Sequence, residues 1–429
     1  MELTIYTLKS LAQVIIDPYM ALILFLLCVF LYRKNKKITL MQKMMVGERF
    51  VSPLELTLSQ LVLGIIGGII GSVVLSNLGV MFHENSGIEL IFLFSFFLMI
   101  IKPRWICFSY SGALLGLLVI AINFFKDSGI LKSIYISNIS LDVTSLVVLI
   151  AVLHIVEGFL IMIDGDRGAI PVFSYKDEKL VGGFAFERYW PIPIAIMLLT
   201  SSATGISGGS IDTPQWWPLL KGDVNIKLMA TSIAMMLPVY GVIGYKSVTF
   251  TESKRKKVFV SGVFNIVYGL IMVALTPIAN FGLAGKIVLL VLMPVMHEGM
   301  LTLQGIRESK KHAKFVSDDE GVTVLDVSPN SEAFRLGLKT GDKILELNDD
   351  KLTEYTMIYE AISNGLKELK LKIKDRQGYI KEVMISIPDG GAKKLGMVLI
   401  PKGSPKDGSM VRFGNNNFKD VLDNIRKKK

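Results

Sequence analysis

From its start to about residue 306 the sequence is a succession of apolar runs separated by short clusters of Lys and Arg. A helix needs about 20 apolar residues to cross the hydrocarbon core of a bilayer, because in lipid each backbone N–H and C=O must be paired within the segment. Nine runs approach or meet that length: 11–32, 56–81, 88–101, 105–125, 141–163, 191–206, 228–246, 258–280 and 283–304. The third and sixth are short, which leaves open a re-entrant segment or pairing with a neighbour. Residues 307–429 are instead rich in Lys, Asp, Glu, Gly and Asn, so the chain is divided between two solvents. The whole-chain composition, 51% hydrophobic and 20% charged, averages over both parts.

The architecture expected is a polytopic α-helical membrane domain of about nine transmembrane helices followed by a small α+β domain. The boundaries are 1–306 for the membrane domain, 307–313 for a basic linker, 314–402 for the soluble domain and 403–429 for a polar basic tail. Basic residues concentrate in the connections 33–53, 102–104, 164–190 and 246–257, and are scarce in 82–87, 126–140, 207–227 and 281–282. Positively charged connections stay in the cytoplasm. With nine spans the N-terminus is then outside and the C-terminal domain inside. The second placement rests on Lys254-Arg255-Lys256-Lys257 and on the basic stretch Arg307–Lys314. The net charge of +10 sits at the ends of apolar runs, the pattern of membrane topology and lipid contact, and no nucleic-acid partner is expected. No cleavable signal peptide is expected either. Cys28 and Cys107 lie in or beside apolar runs, which offers no disulfide framework and no cysteine-rich metal site. No cofactor or metal is expected.

Gly64, Gly67, Gly68 and Gly71 recur at helical spacing and read as a close packing seam. Trp216 and Trp217 read as interfacial anchors. Four ionisable residues stand where lipid makes charge expensive: His154 and Glu157 in one run, His297 and Glu298 in another. His154 and Glu157, three apart, share a helix face. Both pairs sit at similar depth, so their helices could join them across a bundle interior. Polar glue between helices, a proton or ion pathway, and a metal or catalytic site remain open readings. The zinc-protease pattern H-E-x-x-H is incomplete, because Gly299, Met300 and Leu301 follow His297-Glu298 with no second His. Asp164-Gly165 echoes the Asp-Gly pair of site-2 proteases but precedes the His-Glu pair, so order and ligands both fail. The chain is read as no enzyme.

The soluble part carries a more specific pattern. Gly321–Val327 alternates as a strand. Ser328-Pro329-Asn330 can cap a short helix, Gly337 can close it, and Gly341-Asp342 turns into the strand Lys343–Leu347. Residues 356–366 form an amphipathic helix with Ile358 and Ile362 on one side, and strands follow at about 368–375 and 380–387. Ser328–Leu338 and Lys339–Asn348 together resemble the bacterial PDZ signature, S-P-A-x-x-A-G-L followed by K-x-G-D-x-I-L-x-I-N-G. Such a domain binds an extended peptide by adding it as a strand. The groove implied by the resemblance is lined by Lys394, Leu395, Gly396, Met397 and Val398, opposite Ile358 and Ile362. Lys394 replaces the first glycine of the family loop, and the loop stands at the end of the domain, as in a permuted arrangement.

A multi-span membrane half with one C-terminal PDZ-like domain and no complete protease motif is similar to the MinJ-like topological determinants of cell division of Gram-positive Bacillota. The resemblance implies a cell-membrane adaptor at septum or poles, placing the septum by bridging a DivIVA-like polar scaffold to a MinD-like division inhibitor. An intramembrane metal-dependent hydrolase, site-2-protease-like and degenerate, and a transporter or channel regulator are the rival classes.

Overall fold

A computed structural model describes residues 2–47, 50–101, 103–128, 139–176, 179–201, 215–220, 232–387 and 395–402. The chain begins with helices α1 (Glu2–Ile16) and α2 (Pro18–Val46). They divide at Asp17, whose carboxylate accepts from the amides of Tyr19 and Met20 at 3.0 Å each and caps α2, with Pro18 in its first turn. Helix α3 (Pro53–Leu78) is built the same way, with Ser52 as cap and Pro53 after it. Strand β1 (Met81–His83), α4 (Leu90–Ile101), α5 (Phe108–Asp127) and α6 (Val143–Asp164) follow.

After α6 the chain becomes sheet. Strands β2 (Ile170–Lys176), β3 (Lys179–Ser201) and β4 (Ser232–Thr249) pair antiparallel, with β3 between the other two. This corrects the sequence expectation at two of the nine spans, since the described parts of 191–206 and 228–246 are strand. The physical reason lies in three prolines. Inside a helix over 228–246, Pro238 would remove a hydrogen bond and clash with the preceding turn, while Pro191 and Pro193 would fit only in the first turn of a helix over 191–206. In β3, Pro191 and Pro193 stand two apart on the edge turned away from β4, where no ladder partner needs their missing N–H. A third expected span, 88–101, forms only the 12-residue α4, about 18 Å at 1.5 Å per residue and too short to cross a bilayer.

Helix α3 covers that proline edge. A side chain at Gly64 would strike the carbonyl oxygen of Pro191, and one at Gly68 that of Pro193. Two residues on, the amide of Ala195 donates to Ser72 Oγ at 3.0 Å. The other side of the same stripe, Gly67 and Gly71, meets Val156 and Leu160 of α6. The glycine seam therefore packs a helix onto a strand as well as onto a helix. Trp217 is also part of this corner, donating to the carbonyl of Ser76 at 2.9 Å, while Trp216 is exposed.

Helix α6 is the axis of the apolar part. Leu146, Val147, Val148, Ile150 and Ala151 are completely buried, which explains an apolar pattern on all its faces. Helices α7 (Lys254–Leu275) and α8 (Gly282–Lys310) form a hairpin beside it. A buried ion pair fixes its lower end: Arg188 of β3 donates to Asp164 from Nε at 3.0 Å and also from Nη2. Trp190 Nε1 adds a bond of 2.9 Å to the same oxygen, and Arg188 Nη2 reaches Ser59 Oγ at 2.7 Å. Both charged side chains are 0% exposed. Among the described residues five helical stretches are long and apolar enough to cross a membrane: α2, α3, α5, α6 and the α7–α8 hairpin taken as one.

The end of α8 is tied to the end of β4. Glu308 accepts from the amides of Phe250 at 2.7 Å and Thr251 at 3.0 Å, and from Thr249 Oγ1. Five residues past the end of α8, β5 (Phe315–Val316) joins β3 as one more antiparallel strand. Then comes a module with its own core: β6 (Val322–Val327), α9 (Glu332–Arg335), β7 (Lys343–Leu347), β8 (Asp350–Lys351), α10 (Thr356–Ser363), β9 (Glu368–Lys374), β10 (Ile380–Ser386) and β11 (Met397–Leu399). Its sheet runs β10-β9-β7-β6-β11, antiparallel, with β8 beside β7. Val324, Ile344, Ile358, Leu371 and Ile385 are fully buried within it. The module rests against the first sheet. Leu325 and Ile400 cover Gly182 of β3, and Lys254 of α7 binds both carboxylate oxygens of Asp326 at 2.8 and 2.7 Å.

Candidate functional site: a buried cysteine–histidine cluster and an edge strand

Of the four intramembrane ionisable residues, the structure joins the two histidines. His154 of α6 and His297 of α8 are 2% and 6% exposed, with ring centroids 5.5 Å apart. The two helices therefore meet at these rings. Glu157 lies one turn after His154 on α6 and is half-buried. Glu298 is half-buried beside His297.

The group that completes the cluster comes from another helix. Cys107 caps the N-terminus of α5, accepting from the amide of Ser109 at 3.4 Å, and its Sγ lies 3.1 Å from His154 Nε2. One ligand-capable atom from each of Cys107, His154 and His297 lies within 4.8 Å of the others. The ring of His154 is held from behind, with Nδ1 2.7 Å from the carbonyl of Ile150. A carbonyl only accepts, so Nδ1 carries the hydrogen and the Nε2 lone pair of the neutral ring points at Cys107 and Ser109.

Tyrosines complete the surroundings. Tyr268 of α7 donates to the carbonyl of Met293 at 3.0 Å and lies 2.8 Å from Ser109 Oγ. Its ring packs edge-on against both histidines. Tyr110 Oη is 3.2 Å from His297 Nδ1. The sequence reading missed Cys107, Ser109, Tyr110 and Tyr268. The usable signal was the polar start of α5, Cys107-Phe108-Ser109-Tyr110, at the mouth of an apolar run. Asp164, the other acid considered at sequence level, is bound to Arg188 and takes no part in the cluster.

The second site is the end of the C-terminal module. Leu395, Met397 and Leu399 face its core, in the same apolar cluster as Ile358 and Ile362 of α10. Val398 and Ile400 belong to the core shared with the first sheet. Gly396 takes φ +68° where Ser328 and Ser331 press against it, and its carbonyl accepts from the amide of Ser328 at 2.7 Å. Strand β11 pairs with β6 alone and ends the sheet among the described residues, with α2 lying against it. Lys394 lies outside the described residues.

No family model matches the chain. The chain is similar to MinJ proteins. It is 19% identical over 342 residues to the cell division topological determinant MinJ of Bacillus subtilis (strain 168), covering 79% of this chain and 81% of that protein. Probable MinJ proteins of Lacticaseibacillus paracasei and Lacticaseibacillus casei (strain BD-II) are 28% identical over 91 residues, 21% of this chain. The chain spans only a quarter of the length of those two relatives. The similarity and the long apolar helices together describe a membrane protein related to a division determinant.

Proposed function

We propose that this chain is a membrane-anchored adaptor of the cell-division machinery, which recruits partners through a PDZ-like C-terminal module to help place the septum. The observation that carries the reading is the extent of the similarity to the Bacillus subtilis MinJ. A match of 342 residues is longer than the helical part alone and so reaches into the module. The helices cross the membrane several times and fix the location. The basic first turn of α7, Lys254–Lys257, and the end of α8, with Arg307, Lys310 and Lys311, support a cytoplasmic module. The groove proposed lies between β11, the last strand of the sheet, and α10, with Gly396 to Val398 on the strand side and Ile358 and Ile362 on the helix side, and α2, which lies against β11, would have to give way to an added strand. The partners proposed are a DivIVA-like polar scaffold and a MinD-like inhibitor. No catalytic step is needed for this role.

The test is proximity labelling in the native host, with the full chain and with a chain lacking 314–402, both verified in the membrane fraction. The adaptor reading expects the division proteins to vanish from the labelled set on deletion. An unchanged set overturns it.

A further inference from the structure

We propose that Cys107, His154 and His297 form a zinc site that fastens α5, α6 and α8 together inside the apolar bundle. The adaptor reading neither requires nor supplies it. The donor set is one thiol and two imidazoles, the ligand types that favour zinc. They come from the cap of α5, from α6 and from α8. In tetrahedral zinc the ligand atoms lie about 3.3–3.7 Å apart, given metal–ligand bonds of about 2.0–2.3 Å. The separations here, 3.1 Å between Cys107 Sγ and His154 Nε2 and no more than 4.8 Å for any pair, reach that geometry by side-chain movements of about 1 Å.

The outer contacts fit as well. A zinc-bound histidine donates its second ring N–H to a carbonyl or carboxylate, which sets the tautomer and aims the free nitrogen at the metal. His154 does this with the carbonyl of Ile150 at 2.7 Å, in advance of any metal. Tyr110 orients the ring of His297 from its Nδ1 side. Zinc binding breaks the Cys107 S–H bond, forms a Zn–S bond and releases one proton, leaving a net charge of +1 on the metal and thiolate. Ser109 Oγ lies 3.3 Å from His154 Nε2, beside the three donors.

The experiment uses the full chain, purified in detergent from cells grown without added metal, and analysed by inductively coupled plasma mass spectrometry. About one zinc per chain is expected, falling at least fivefold in Cys107→Ser and in the double variant His154→Asn with His297→Asn. Chelated wild-type protein reloaded with Co2+ should show a thiolate-to-cobalt charge-transfer band that Cys107→Ser lacks. The reloading is done on wild-type protein, so it decides the question even where a variant fails to fold. Absence of bound zinc together with absence of the cobalt band overturns the proposal. So does zinc retained at full level in well-folded variants, or stoichiometric copper in place of zinc.

Discussion

At the scale of single residues, the most consequential buried charge is Arg188. Its guanidinium is the main counter-charge of Asp164, and both are sealed from solvent. Removing one partner of such a pair leaves the other ionised and unpaired, which costs about 3–5 kcal/mol, whereas replacing both with apolar groups of similar size can be near neutral. Arg188→Met is therefore expected to lower the unfolding midpoint in detergent strongly, and the double change with Asp164→Leu to restore most of it. A double variant as unstable as the single one would show that the pair matters for more than mutual neutralisation. The sequence put Asp164 next to Gly165 and invited comparison with a catalytic motif. What decides its role, a guanidinium 24 residues away on a strand, has no local signature.

At the scale of elements, the α3–β3 contact depends on backbone approaching backbone. Gly68→Val would drive a branched side chain into the carbonyl of Pro193, an overpacking that costs about 1–3 kcal/mol or more. Gly299→Ala on α8 has nothing within 4 Å of the new atom and, with alanine the better helix former, is expected to hold or slightly raise the melting midpoint. Differential scanning fluorimetry of the two variants separates a packing effect from a general effect on glycine. The helices themselves were legible, because caps such as Asp17 and Ser52 and runs of apolar residues are local signals. The β3–β4 hairpin was not, since hydropathy measures how apolar a segment is and not its period. The prolines at 191, 193 and 238 were the available sign of strand. The histidine meeting was legible from depth alone. Cys107 was not, because its part in the cluster comes from the start of a helix that hydropathy treats as one more span.

At the scale of the whole molecule, two bodies with separate cores are joined by β5, by the Leu325–Ile400 contact on Gly182, and by Lys254 with Asp326. Burial holds the Asp326 carboxyl above the usual carboxylate range although Lys254 draws it down. Asp326→Ala is expected to loosen the junction without unfolding the module. Hydrogen exchange should accelerate along β5 and β11 while β7 and β9 keep their protection. Uniform loss of protection across the module would mean instead that Asp326 supports the module's own fold. The order strand, short helix, strand was readable from Gly321–Asn348. The docking of that module onto a membrane-half sheet was not, because strand pairing between distant segments leaves no pattern in either one.

The continuity of α8 has a mechanical meaning. His297 stands 13 residues before the helix end at Lys310, about 20 Å along one unbroken rod, and Phe315 enters the sheet five residues later. Glu308 clamps that end to the turn after β4. A twist of the rod by one residue, about 100°, would turn His297 away from Cys107 and His154. By holding that end, Glu308 also sets the rotation of the helix and with it the direction in which His297 faces.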